Sequence, residues 1–117
     1  NPVANRTVDP KRHVQKWTYK VLNSLVLPII PDDLKDDRNW KKAFGLSRDM
    51  LIALFSKYEI DNTLDGRNVL MVLEYIRNNN MQTNHSLRWG LSLEKWSRRT
   101  LCGRAKLIEI LSEVGIP

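Results

Sequence analysis

The side chains with the most evident chemistry are cations, and they gather in one stretch, NHSLRWGLSLEKWSRRTLCGRAKLIEIL (84–111). Phased as a helix, Lys95, Arg98, Arg99, Cys102 and Lys106 fall on one side, and Leu93, Trp96, Ser97, Thr100, Leu107, Ile108 and Leu111 on the other. Lysine and arginine neutralise phosphates, and arginine also reads guanine edges through two hydrogen bonds. Arg88 and Ser92 lie just ahead of this face. Glu94 sits where a helix dipole favours a carboxylate, and it can accept from a cytosine amino group. The chemistry is recognition of a polyanion, double-stranded DNA first, with RNA or a partner protein as alternatives. The plainer reading is a solvated amphipathic helix, since basic outer faces are ordinary. One residue spoils the phasing. Arg104 falls on the apolar side of a regular helix, which predicts a break or kink at Gly103.

Other candidates for chemistry are thinner. A secondary basic patch comprises Arg6, Lys11, Arg12, Lys16 and Lys20. Such arms follow phosphates or reach a minor groove, but a solubilising tail is the favoured reading. His13, His85 and the lone Cys102 have no metal-ligand spacing. Asp32, Asp33, Asp36 and Asp37 lack the glycine and alternation of a calcium loop and read instead as helix-start carboxylates. No glycine-rich phosphate loop is evident, and no serine or cysteine has a base partner. The expectation is therefore a chain with no cofactor and no catalytic activity of its own.

The elements that must position the basic face follow from the rest of the chain. Its 117 residues suit one domain, and 42% hydrophobic content with four tryptophans supports a packed core. The formal net charge of +6 fits a polyanionic partner. One cysteine precludes an internal disulfide and fits a reducing, nuclear or cytoplasmic setting. The longest apolar run, 25–30, is broken by Pro28 and is too short to span a membrane. The chain opens at Asn1 rather than methionine, as a fragment of a longer protein would.

Residues 1–9 read as a flexible arm, and 10–117 as a single helical domain. A first helix is expected from Pro10, capped by Asp9 and burying Val14, Trp17, Val21, Leu22 and Leu25, up to Pro28. A short helix ends at Phe44, with Leu34, Trp40 and Phe44 inward and Gly45 as its stop. Ser47 caps the next, whose stripe is Met50, Leu51, Leu54, Phe55 and Tyr58. After a polar connection (59–66), a helix over 67–78 is apolar on most sides and should be central, ended by the asparagines 78–80. A short helix at 85–89 leads into a turn, 89–92. There Gly90 supplies positive φ, Leu91 plugs the angle and Ser92 caps a last helix from Leu93 towards Ser112. Trp89 and Trp96 point inward. Strand signals are nearly absent. The fold expected is all-α, a small bundle of about five to seven helices with a C-terminal helix-turn-helix at about 84–111.

Three of these segments resemble a known family. DRNWKKAFGLSRDMLIALFSKY (37–58), through Trp40, Phe44, Leu46, Ser47 and Leu51, resembles a region of Harbinger-type DDE transposases. LDGRNVLMVLEYIRNN (64–79) resembles that family's long apolar helix. RWGLSLEKWSRR (88–99), with Trp89, Gly90, Leu91 and Ser92, resembles its helix-turn-helix core. The likeness covers about 37–111. It departs where the usual threonine or valine of the second helix meets Lys95 and Trp96. It implies the DNA-binding front end of a transposase or transposase-derived protein, without the catalytic domain whose strands this chain lacks.

Overall fold

The computed structural model describes residues 16–26, 36–58, 60, 63–78 and 80–113. Among these residues there are six helices and no strand. They are α1 (Tyr19–Val26), α2 (Asp37–Phe44), α3 (Arg48–Lys57), α4 (Thr63–Arg77), α5 (Gln82–Arg88) and α6 (Leu93–Glu113). The all-α bundle expected from the periodicity is what forms.

Local chemistry sets most boundaries. Asp36 accepts from the Asn39 amide at 3.1 Å to start α2. Gly45, at φ 85°, closes it by donating to the Lys41 carbonyl. Ser47 accepts from Met50 N at 3.3 Å to start α3. The first helix departs from expectation. Residues 16–18 are not helical, and Thr18 caps α1 through its hydroxyl, 3.2 Å from the Val21 amide. A local threonine cap therefore sets the start at Tyr19. The Asp9–Pro10 start, Val14 and Leu34 lie outside the described residues, as do Arg6, Lys11 and Arg12. Lys16 and Lys20 are exposed.

The central helix, α4, begins four positions earlier than the polarity of 59–66 suggested. Gly66 belongs inside it, because the Trp17 ring occupies the space a side chain would need; a Cβ there would stand 2.6 Å from Trp17 Cη2. Val69, Leu70, Met71 and Val72 are buried, so α4 is packed from several sides as its composition demands. Ile76 is the exception and is exposed.

All four tryptophans are buried. Trp17 stands edge-on to Phe55 at 4.9 Å and donates to the Ile60 carbonyl at 2.7 Å. Arg48 ties α1, α2 and α3 together: its Nε donates to Asp37 at 2.7 Å, and its guanidinium lies 4.5 Å from the Tyr19 ring centre. Tyr19 donates to Asp49 at 2.6 Å, and that hydrogen bond, more than burial, raises its phenol above the ordinary value.

α6 packs along α4. Trp96 meets Tyr75 edge-on at 5.2 Å, while Gly103 faces Asn68. Numbers rise along one helix as they fall along the other, so the pair is antiparallel. The expected break at Gly103 is wrong. α6 runs unbroken to Glu113, and Gly103 is buried where the two backbones approach. A Cβ there would collide with the Asn68 carbonyl oxygen and lie 2.8 Å from Val72 Cγ2. The glycine marks a close crossing, not a flaw. Arg104 then needs no kink, because its flank is uncovered by any described element and the residue is exposed. Leu93, Ile108 and Leu111, expected on the buried side, are exposed on that flank too. The buried seam is narrower: Trp96, Thr100, Gly103 and Ile110.

Candidate nucleic-acid interface

The turn between α5 and α6 is built as its residue types require. Gly90 adopts φ 67°, in the left-handed region that glycine enters without a side-chain clash. Leu91 is half-buried against the core, and its amide donates to the Ser86 carbonyl at 2.9 Å. Ser92 accepts from the Lys95 amide at 3.1 Å and so caps α6. α5 begins three residues before the expected 85, and Trp89 closes it with its amide on the His85 carbonyl. Two helices thus meet across a four-residue turn, and the second presents its outer face to solvent.

Lys95, Arg98, Arg99 and Cys102 converge as expected. They line one wall of a groove of about 270 Å³ whose other wall is Leu64 and Asn68 of α4. Arg67 of α4 does not line this groove but lies near enough to Arg99 to feel its charge. Burial, and then the charge of Arg99, push its guanidinium below the ordinary value. Its terminal nitrogen donates to the Trp89 carbonyl at 3.2 Å, and the group lies 5.5 Å from the Trp89 ring centre. Sequence reasoning missed Arg67, because only the helix crossing brings it to the α6 cations.

Compensation is sparse here. Arg98 reaches Glu94 at 3.8 Å, with both side chains well exposed, a pairing worth about 0.3–0.5 kcal/mol at most. Among the described residues, neither Lys95 nor Arg99 has a carboxylate within 4 Å. Lys106 lies further along and approaches Glu109 at 3.7 Å. Cys102 is exposed and lines the groove. Asn68 is almost fully buried, and among the described residues its Oδ1 has no hydrogen-bond partner.

Arg88 is set apart from this groove. Its Nε donates to Glu74 Oε2 at 2.8 Å. Glu74 is only 1% exposed, and three nitrogens converge on its carboxylate. Trp89 Nε1 donates to its Oε1 at 2.8 Å, and His85 Nδ1 lies 3.1 Å from the same oxygen. His85 Nε2 faces the Asn78 carbonyl at 2.8 Å. Both imidazole nitrogens therefore face oxygens; one ring proton satisfies one of them, and two satisfy both. Tyr75, His85 and Trp96 form an aromatic cluster beside this carboxylate. One signal in the sequence pointed to it: Glu74 is the sole charged residue between Arg67 and Arg77.

No family model, curated protein or solved structure matches this chain. The site therefore rests on its own geometry. Among the described residues no three His, Cys, Asp or Glu side chains gather as metal ligands, and no helix is long and apolar enough to cross a membrane. Of the aspartates at 32–37, Asp36 serves as a cap and Asp37 pairs with Arg48. Asp32, Asp33 and His13 lie outside the described residues.

Proposed function

We propose that this chain is a duplex-DNA-binding module whose recognition helix is α6, and that it carries out no catalytic step of its own. The observation that carries the reading is the groove between α4 and α6. Lys95, Arg98 and Arg99 line it, with Arg67 close enough to Arg99 to add its charge, and almost no internal carboxylate offsets them. Concentrating like charge costs folding free energy, and a phosphate backbone would offset it. Arg98 and Arg99 lie in the first two turns of a capped, solvent-facing helix that follows a tight turn, the position from which side chains reach base edges in a major groove. The resemblance to the front end of Harbinger-type transposases favours DNA over RNA. A nuclear or cytoplasmic setting suits such a module and its lone exposed thiol.

A second reading has one observation in its favour. Leu101 and Ile108 are more than 60% exposed on the uncovered flank of α6, and Leu111 lies nearby. An apolar stripe of that kind suits a helical protein partner.

The DNA reading is tested by a titration with duplex DNA, single-stranded RNA and a neutral polymer at two salt concentrations. The DNA reading predicts tighter binding to the duplex and a steep loss between about 50 and 200 mM salt. Equal, weak binding to DNA and RNA would reduce the groove to nonspecific electrostatics.

A further inference from the structure

Another concavity lies away from the α4–α6 groove. It is a cleft of about 350 Å³ between α2, the end of α4 and α5, and its walls include Asn39, Lys42, Glu74, Asn80, His85 and Arg88. Its size falls at the small end of ligand pockets, about 300–1,000 Å³. Its lining is polar, and its floor is built: Glu74 and His85 are 1% and 2% exposed and fixed by hydrogen bonds.

Among the described residues, several donors of the cleft have no acceptor. Arg88 spends only Nε on Glu74 and is half-exposed, so its two terminal amino groups stay available, held in the plane that the Nε bond sets. Lys42 is exposed, with no carboxylate within 4 Å among the described residues. Asn80 uses Oδ1 to accept from Met81 and Asn84, which leaves Nδ2 as its remaining side-chain donor. The one carboxylate in the lining, Glu74, is already shared among His85, Arg88 and Trp89.

We propose that this cleft binds a small oxyanion ligand, a molecule carrying a phosphate or carboxylate group, held by the terminal amino groups of Arg88 and by Lys42. The site is independent of the groove assigned to DNA. It is also wired to the turn. Arg88 and Trp89 end α5, and both donate to Glu74. A ligand that draws on Arg88 therefore perturbs the carboxylate that holds the Trp89 indole, one residue before Gly90.

The test is a proton–nitrogen NMR titration of the full chain with inorganic phosphate and, separately, acetate, at constant ionic strength with chloride as control. The expected result is saturable shifts at Asn39, Lys42, His85 and Arg88 and at the Trp89 indole N–H, with little change at Lys95, Arg98 and Arg99. Lys42→Gln changes an exposed side chain and should raise the half-saturation concentration at least threefold while leaving duplex DNA affinity unchanged. Arg88→Lys, which keeps the charge but loses the two-pronged geometry, should weaken binding further. Non-saturating shifts equal to those in chloride would overturn the proposal, as would shifts confined to α6. If phosphate fails to saturate and Lys42→Gln weakens duplex binding instead, the cleft contacts a nucleic-acid phosphate and the free-ligand assignment is wrong. The DNA reading survives all of these failures.

Discussion

Arg88 and Arg99 belong to the same helix-turn-helix segment, yet their charges meet opposite surroundings. Arg88 is anchored to Glu74, a buried carboxylate that also takes hydrogen bonds from His85 and Trp89. Arg99 faces the groove beside Lys95, with Arg67 near enough to add its charge, and among the described residues Arg99 itself has no carboxylate within ion-pair distance. In one cluster a buried carboxylate has its partners and shapes the turn. The other is left unbalanced at the surface. Buried polar groups must be paired to be tolerated, whereas an exposed cation surplus is tolerated by solvent and becomes useful only against an anion. The contrast separates a carboxylate that organises the turn from cations whose charge is left for a partner.

The largest break in that comparison should come at Glu74. Glu74→Leu would leave the Trp89 indole N–H and His85 Nδ1 without their acceptor and release Arg88. Each orphaned buried group costs about 1–3 kcal/mol, so a loss of about 2–4 kcal/mol is expected in urea unfolding. A loss below the cost of a surface substitution would mean that the carboxylate does not organise the turn.

Gly103→Ala should have the next largest effect. The added Cβ meets the backbone of Asn68, which cannot turn aside as a flexible side chain would. Overpacking of this kind costs about 1–3 kcal/mol, against about 1 kcal/mol gained from alanine's helix propensity. The expected outcome is a net loss of stability and a wider separation of α4 and α6. A stabilised variant would show that the helices cross less closely.

The smallest effect carries the opposite sign. Arg99→Gln removes a like charge beside Arg67, and Arg67 is held below its ordinary value partly by that charge. Stability should rise by a few tenths of a kcal/mol, discounted for solvent screening, while DNA affinity falls. A variant that loses stability would place Arg99 among the structural residues.

The division between these clusters was only half legible in the sequence. Capping side chains and turn glycines act locally, so Asp36, Ser47, Ser92, Gly45 and Gly90 announced their roles through type and position. The cationic face of α6 was legible for the same reason, since helical periodicity alone places Lys95, Arg98 and Arg99 together. What the sequence hid depends on crossings between distant segments. Gly103 looked like a helix breaker because a lone glycine favours breaks unless another backbone lies against it, and Asn68 is 35 positions away. The Glu74 cluster needed three donors from α5 and its cap, none adjacent to it in the chain. Arg67 and Arg99 become neighbours only once α4 and α6 run antiparallel. The exposed flank of α6 was misread because its apolar residues outnumber those the narrow seam can bury.

The central claim is that the unbalanced cluster exists for a polyanion, and the salt dependence of duplex binding tests it most directly. Affinity of the parent and of the Arg98→Ala/Arg99→Ala variant should be measured across a salt series, with thermal unfolding of both as the control for folding. Four cations on phosphate predict a slope of log affinity against log salt near about −3 to −4, and the variant should lose about two units of it along with at least tenfold in affinity. Its melting temperature should be unchanged or slightly higher. Parent-like affinity and slope in a folded variant would contradict the account.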